Sequence, residues 1–197
     1  MQRRDNRKSS LQLQLLPLYA ALPSHLQKLP FQKSRSNQRK AIFATSIAET
    51  SLTLEGVRFV VDAGFVKLPF FDAEKGFERL VVTNISKASA KQRAGRAGRV
   101  SPGKCYRLYT HDSFLKFADG TPPEISRTPL SSFVLTMKAL GIDNIMKFDL
   151  LTPPTVDSIC FALEELFALG AIDDKCKIVK NVGDLMSEFP VDVRLSR

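Results

Sequence analysis

Ala90-Lys91-Gln92-Arg93-Ala94-Gly95-Arg96-Ala97-Gly98-Arg99 is basic, has no acidic residue and holds two glycines. Wound as a helix, it puts Gln92, Arg96 and Arg99 on one face at i, i+4 and i+7. Each glycine costs a helix about 1 kcal/mol against alanine. A helix that keeps two of them excludes bulk, which lets another group approach its backbone closely. The face presents one amide and two guanidiniums. A guanidinium is planar, permanently charged and forked, which suits the oxygens of a phosphoryl group. In phosphoryl transfer such an arginine finger is worth about 10³–10⁵ in rate. The stretch reads either as a sensor of a nucleotide γ-phosphate or as a solvated helix on a basic protein.

Outward from it, Lys40–Thr45 reads as a buried strand, and Ser46-Ile47-Ala48-Glu49 as a capping box opening a short helix that stops by Gly56. A helix starting at the carboxyl end of a strand lies where ligands sit in open α/β sheets, and its free N–H groups suit a phosphate. The alternative is an ordinary βα loop. Val57–Val66 is a largely apolar run of the kind found in parallel sheets covered on both faces. Leu68–Asp72 and Gly76–Val82, separated by Ala73-Glu74-Lys75, read as a hairpin. Gly103–Tyr109 is a further strand, and Thr121-Pro122-Pro123 breaks the chain after it.

Arg3, Arg4, Arg7 and Lys8 precede Leu11-Gln12-Leu13-Gln14-Leu15-Leu16-Pro17-Leu18, an order resembling a secretory leader. Gln12, Gln14 and Pro17 interrupt the apolar part, and its alternation from Leu11 to Leu15 reads as a strand. The basic segment His25–Lys40 reads as a solvated helix and loop, and His25 is given no role. Beyond the proline break, Leu130, Phe133, Val134, Met137 and Leu140 form a helical core stripe stopped by Gly141. Asp157–Leu169 repeats the pattern with Ile159, Leu163, Leu166 and Phe167. Gly170 ends it, and Ala171-Ile172-Asp173 turns toward a short strand.

The 197 residues suffice for one domain and a small second one. A 44% hydrophobic content supplies a core, and the formal charge of +9 favours a polyanionic partner. The three cysteines, Cys105, Cys160 and Cys176, form no CxxC pair. Their odd count argues against a disulfide framework, and no metal site is indicated. The sequence has no apolar run of about 18 residues, so no membrane span is expected.

Gln92–Arg99 resembles motif VI of the DEAH-box RNA helicases letter for letter. Ile85–Ala90 before it and Pro102–Tyr109 after it resemble the family as well, and Thr45–Leu54 resembles its motif V. The resemblance implies that Gln92 helps place the attacking water and that Arg96 and Arg99 contact ATP phosphates, one of them as the finger. It further implies that Thr45 and Ser46 touch the RNA backbone, that Ser51 senses the γ-phosphate and that Glu55 sits near the nucleotide. Ser46 stands where the family usually has Asn, a loss of one donor, and Glu55 where Asp is commoner. Leu15–Pro23 resembles a segment that touches RNA, and in the family the hairpin projects toward the duplex junction. Whether it parts strands here or closes a sheet edge stays open.

The implied architecture is α/β, a RecA-like parallel-sheet domain with a projecting hairpin, followed by a winged helix. Its expected limits are a basic tail at 1–10, the RecA-like domain at 11–121, a connecting helix at 122–148 and the winged helix at 149–197. The implied ligands are RNA and ATP with Mg²⁺, the latter bound mainly by a first RecA domain that this sequence does not contain. A helicase-activating protein is a further implied partner. The family implies a nuclear location, with the cytoplasm as alternative, and splicing among its pathways. The sequence holds no G-x-x-x-x-G-K-[ST] loop and no Asp-Glu-Ala-His box. The chain alone is therefore expected not to hydrolyse ATP. The alternatives are a non-catalytic RNA- or helicase-binding module and a DNA helicase of the same superfamily.

Overall fold

The computed structural model describes residues 12–50 and 54–197. They divide into two compact units. One comprises the described residues up to Val66 together with Thr83–Thr121, the other Lys67–Val82 together with Pro122–Arg197.

The first unit opens with β1 (Gln12–Leu18), a short helix α1 (Ser24–Gln27) and β2 (Gln38–Ala44). The two strands are parallel, in register from Gln12–Gln38 to Leu18–Ala44. Leu16 and Leu18 are buried, whereas Leu13 and Leu15 are each 61% exposed. From Gln14 onward the even-numbered residues of β1 thus face inward. A period of two admits no compromise between the faces, and the leucines at 13 and 15 fall on the open one. After β2 come α2 (Ile47–Thr50) and β3 (Phe59–Asp62). Two longer strands follow, β4 (Phe65–Asp72) and β5 (Phe77–Asn84), then α3 (Lys87–Ala94). β6 (Lys104–Arg107) pairs parallel with β3, from Phe59–Lys104 to Asp62–Arg107, and α4 (His111–Leu115) follows. The run at Val57–Val66, expected to be covered on both faces, leaves Phe59 and Val61 exposed in this chain. A small apolar cluster of Ile85, Ala90 and Phe117, with Val66, Tyr109 and Phe114 against it, backs α3.

Ser86 caps α3, accepting the Ser89 N–H at 3.1 Å. The next N–H groups of the first turn, at Lys87 and Ala88, donate to Ala118 O (2.8 Å) and Asp119 O (3.1 Å). The helix start is therefore satisfied from within the unit.

The second unit holds the outer part of the β4–β5 hairpin and three helices, α5 (Ser131–Ala139), α6 (Val156–Ala168) and α7 (Gly183–Glu188). β4 and β5 pair with each other and with neither parallel pair. Among the described residues the hairpin thus closes no edge of either parallel pair. At its turn Gly76 takes φ +65°, and its N–H donates to Asp72 O at 2.8 Å. A Cβ there would lie 2.8 Å from the Phe161 ring of α6, and Phe71 meets the same ring edge-on at 5.0 Å.

α5, from the segment expected only to connect, shares one core with α6 and α7: Val134, Leu135, Ile159, Leu166, Ile172 and Met186. Thr155 caps α6, accepting the Ser158 N–H. Gly141 (φ +82°) and Gly170 (φ +72°) end α5 and α6 in the left-handed conformation that glycine tolerates best. Two expected stripe members lie outside the core. Leu140 and Phe167 are 72% and 56% exposed, each at the end of its helix, where the stripe rotates off the packed face. An antiparallel bridge, Ile172–Ile178, stands where the short strand was expected.

Candidate functional site

The stretch from Lys87 does not run as one α-helix to Arg99. α3 ends at Ala94, and Gly95–Gly98 tightens into a 3₁₀ turn with Arg99 as its cap. Two glycines in four residues weaken the α-helical alternative, and 3₁₀ turns are common at helix ends. Ala90 and Ala97 are buried and press the segment onto the unit. Gln92 and Arg99 are exposed and Arg96 is half-buried. The one-face argument holds only in outline, since the three side chains stand on two kinds of helix and a cap.

The glycines themselves are uncrowded. A Cβ at Gly95 or Gly98 would meet nothing within 4 Å. The room they leave is not filled by the described residues of this chain. Close backbone packing occurs instead at Gly103, where a Cβ would lie 1.5 Å from Ala97 O and 2.6 Å from Arg58 O. Sequence reasoning assigned Gly103 nothing beyond its strand.

Thr45 and Ser46 follow the carboxyl end of β2 and are exposed. The Thr45 N–H donates to Leu18 O at 3.1 Å, which extends the parallel ladder to the turn. α2 starts at once behind them and packs against α3. The motif V turn and the motif VI helix are thus neighbours in one unit. Glu55 is exposed in the turn before β3, beside Gly56 with φ +76°. Ser51, the expected γ-phosphate sensor, lies outside the described residues.

Four residues to which the sequence assigns no role in the site join these elements. Asp62, at the carboxyl end of β3, is a fully buried carboxylate. Its Oδ1 accepts from Arg93 at 2.9 Å and from the Gly64 N–H at 3.0 Å, and its Oδ2 accepts the Tyr109 hydroxyl at 2.9 Å. Arg93 Nε donates to Glu49 Oε2 of α2 at 3.0 Å, and both of its terminal nitrogens donate to Phe65 O at 3.3 Å. Glu49, read from sequence only as half of a capping box, thus receives a guanidinium from another helix.

Burial alone would lower the Arg93 pKa, but the hydrogen bonds it donates to Asp62 and Glu49 outweigh that and raise the value. Tyr109 is pushed up to about 12, by burial first and then by its bond to Asp62. The Cys105 thiol is pushed up by burial and by Asp62, against the pull of Arg107. A usable signal was present: an aspartate ending an apolar strand requires a buried cation or several donors. Its partner is 31 residues away, which no local pattern encodes.

Among the described residues no three His, Cys, Asp or Glu side chains come together as metal ligands. Both oxygens of Asp62 are committed. The described donor set does not fit magnesium. No described helix is long and apolar enough to cross a membrane.

Comparison with known proteins bears on this arrangement. Residues 3–101 match the helicase conserved C-terminal domain, and residues 162–191 match the helicase associated domain HA2, winged-helix. The chain is 46% identical over 180 residues to the human "Probable ATP-dependent RNA helicase DHX35", covering 91% of this chain and 26% of that protein. It is 46% identical over 187 residues to the "Pre-mRNA-splicing factor ATP-dependent RNA helicase prp22" of Schizosaccharomyces pombe, covering 94% and 16%. Among solved structures, the Escherichia coli DEAH/RHA helicase HrpB superimposes with a TM-score of 0.85 at 34% identity, over 94% of this chain and 23% of that one. The chain therefore spans about a quarter or less of the length of the relatives it matches. The RecA-like parallel-sheet class and the winged helix inferred from sequence agree with these matches.

Proposed function

We propose that this chain, which belongs to the helicase conserved C-terminal domain family and carries the motifs of its DEAH-box RNA helicases, contributes the arginine-bearing half of an ATP site and part of an RNA track. In this reading Arg96 and Arg99 meet the γ-phosphate and neutralise charge as it develops. Gln92 orients the attacking water. Thr45 and Ser46 hold the RNA backbone by phosphate contacts that are largely blind to sequence and sensitive to salt. Ser51 and Glu55 are proposed to sense the nucleotide from the motif V side. ATP with Mg²⁺ is held mainly by a P-loop domain outside this sequence, and an activating protein partner is part of the proposal. The relationship to the fission yeast splicing helicase supports a nuclear location and a role in RNA processing.

The observation that carries the reading is the open space over Gly95 and Gly98 beside Gln92, Arg96 and Arg99. Glycines that no described residue crowds, next to forked cations, suit a ligand arriving from outside the chain.

The test has two arms. The purified chain should show no RNA-stimulated ATP turnover. Joined to a P-loop RecA domain it should turn over ATP, and Arg99→Ala should then lose about 10³-fold or more in kcat with nucleotide binding retained. Turnover that is indifferent to both arginines would overturn the finger assignment. It would favour a non-catalytic binding module.

A further inference from the structure

Gln92 and Arg99 are exposed, but the Arg93 side chain is only 18% exposed, against 10% for Glu49 and 0% for Asp62. Each of its three nitrogens is used. They reach α2, which starts just after Thr45 and Ser46, the carboxyl end of β3, and the carbonyl of Phe65, the first residue of the hairpin. A planar fork fixes three directions at once, which a lysine ammonium on a flexible stem does not.

We propose that Arg93 is a positioning residue that makes the Thr45–Ser46 turn, the root of the β4–β5 hairpin and the Gln92–Arg96 segment move as one body. This rests on the reading of Thr45 and Ser46 as RNA contacts given above. The clamp is a strut and not a switch, because Asp62 holds Arg93 while itself held by Gly64 N–H and Tyr109. Displacement of the turn by RNA is passed through Glu49 to the guanidinium, and from there to α3 and to Phe65. A fold-stabilising salt bridge alone would predict no such transmission.

The test is amide hydrogen exchange on the whole chain, with and without single-stranded oligouridine RNA. In the wild type, RNA should slow exchange at residues 45–50 and, through the clamp, at 88–94 and at Phe65. In Arg93→Lys the slowing at 45–50 should persist, while that at 88–94 and Phe65 falls by roughly tenfold, the scale of one charge-assisted hydrogen bond. Glu49→Ala removes only the arm to α2 and should give the same uncoupling if Arg93→Lys fails to fold. Slowing that reaches 88–94 equally in wild type and both variants would overturn the proposal. So would slowing confined to 45–50 in the wild type. Absence of any slowing at 45–50 would instead overturn the RNA reading itself, and the proposal with it.

Discussion

The two units are held together by different physics. The second buries a continuous apolar cluster in which α5, α6 and α7 share Val134, Leu135, Leu166 and Met186. The first has a thin apolar cluster behind α3 and leaves Leu13, Leu15, Phe43 and Val61 exposed along its strands. What it buries instead is charge: Asp62, locked between Arg93, Gly64 N–H and Tyr109. Apolar burial is non-directional and tolerates conservative change. A buried ion pair adds little over an apolar substitute but is costly to break from one side. The unit that carries the candidate site is thus the one whose stability depends on geometry.

The largest effect should come from breaking the charge lock one-sidedly. Arg93→Ala leaves Asp62 buried without its cation and should destabilise the first unit by about 3–5 kcal/mol. Calorimetry should show its transition falling while that of the second unit stays. Leu166→Ala makes the reciprocal cut, with about 2–5 kcal/mol lost from the second unit alone. If either substitution moves both transitions together, the division into two physical regimes fails.

A third experiment sharpens the same contrast through pH. The Tyr109 phenol is favoured neutral in the folded state, with its pKa pushed up to about 12. Its contribution is therefore complete below the ordinary tyrosine value of about 10. It is lost as pH rises toward 12. Stability of the first unit should fall across that window in the wild type, and Tyr109→Phe should remove that component of the slope. Alkaline melting curves of the two proteins check it.

The smallest effect is expected at Gly98→Ala, where the added methyl meets nothing and φ/ψ is compatible. Folding should be unchanged or gain up to about 1 kcal/mol. Loss of ATP turnover in a P-loop-bearing form, with folding intact, would then report a clash with a ligand and not with this chain.

Legibility of the sequence followed the range of the interactions. The glycine stops at Gly141 and Gly170 and the α6 stripe are local, and local patterns encode them. What escaped is non-local. Glu49, Asp62 and Arg93 come from three separate elements and Tyr109 from the bend after β6, with partners 31 to 47 residues apart. The break of the helix at Ala94 is half visible, since two glycines announce an energetic penalty but not a change of helix type. The inward face of β1 was not legible either, because Leu13 and Leu15 alternate as regularly as Leu16 and Leu18 do.

Gly103 carries one more consequence. Its backbone rests on Ala97 O, and the following N–H, at Lys104, donates to Arg58 O at 2.8 Å. The loop from Gly98 to Pro102 is therefore closed at a fixed span. An inserted or deleted residue there would drag Arg99 with it or pull β6 from β3. Descent should tolerate length changes near Gly120, where a Cβ meets nothing, and purge them between Ala97 and Gly103. For anyone splicing in a tag or a fluorophore, that short interval is the place to leave alone.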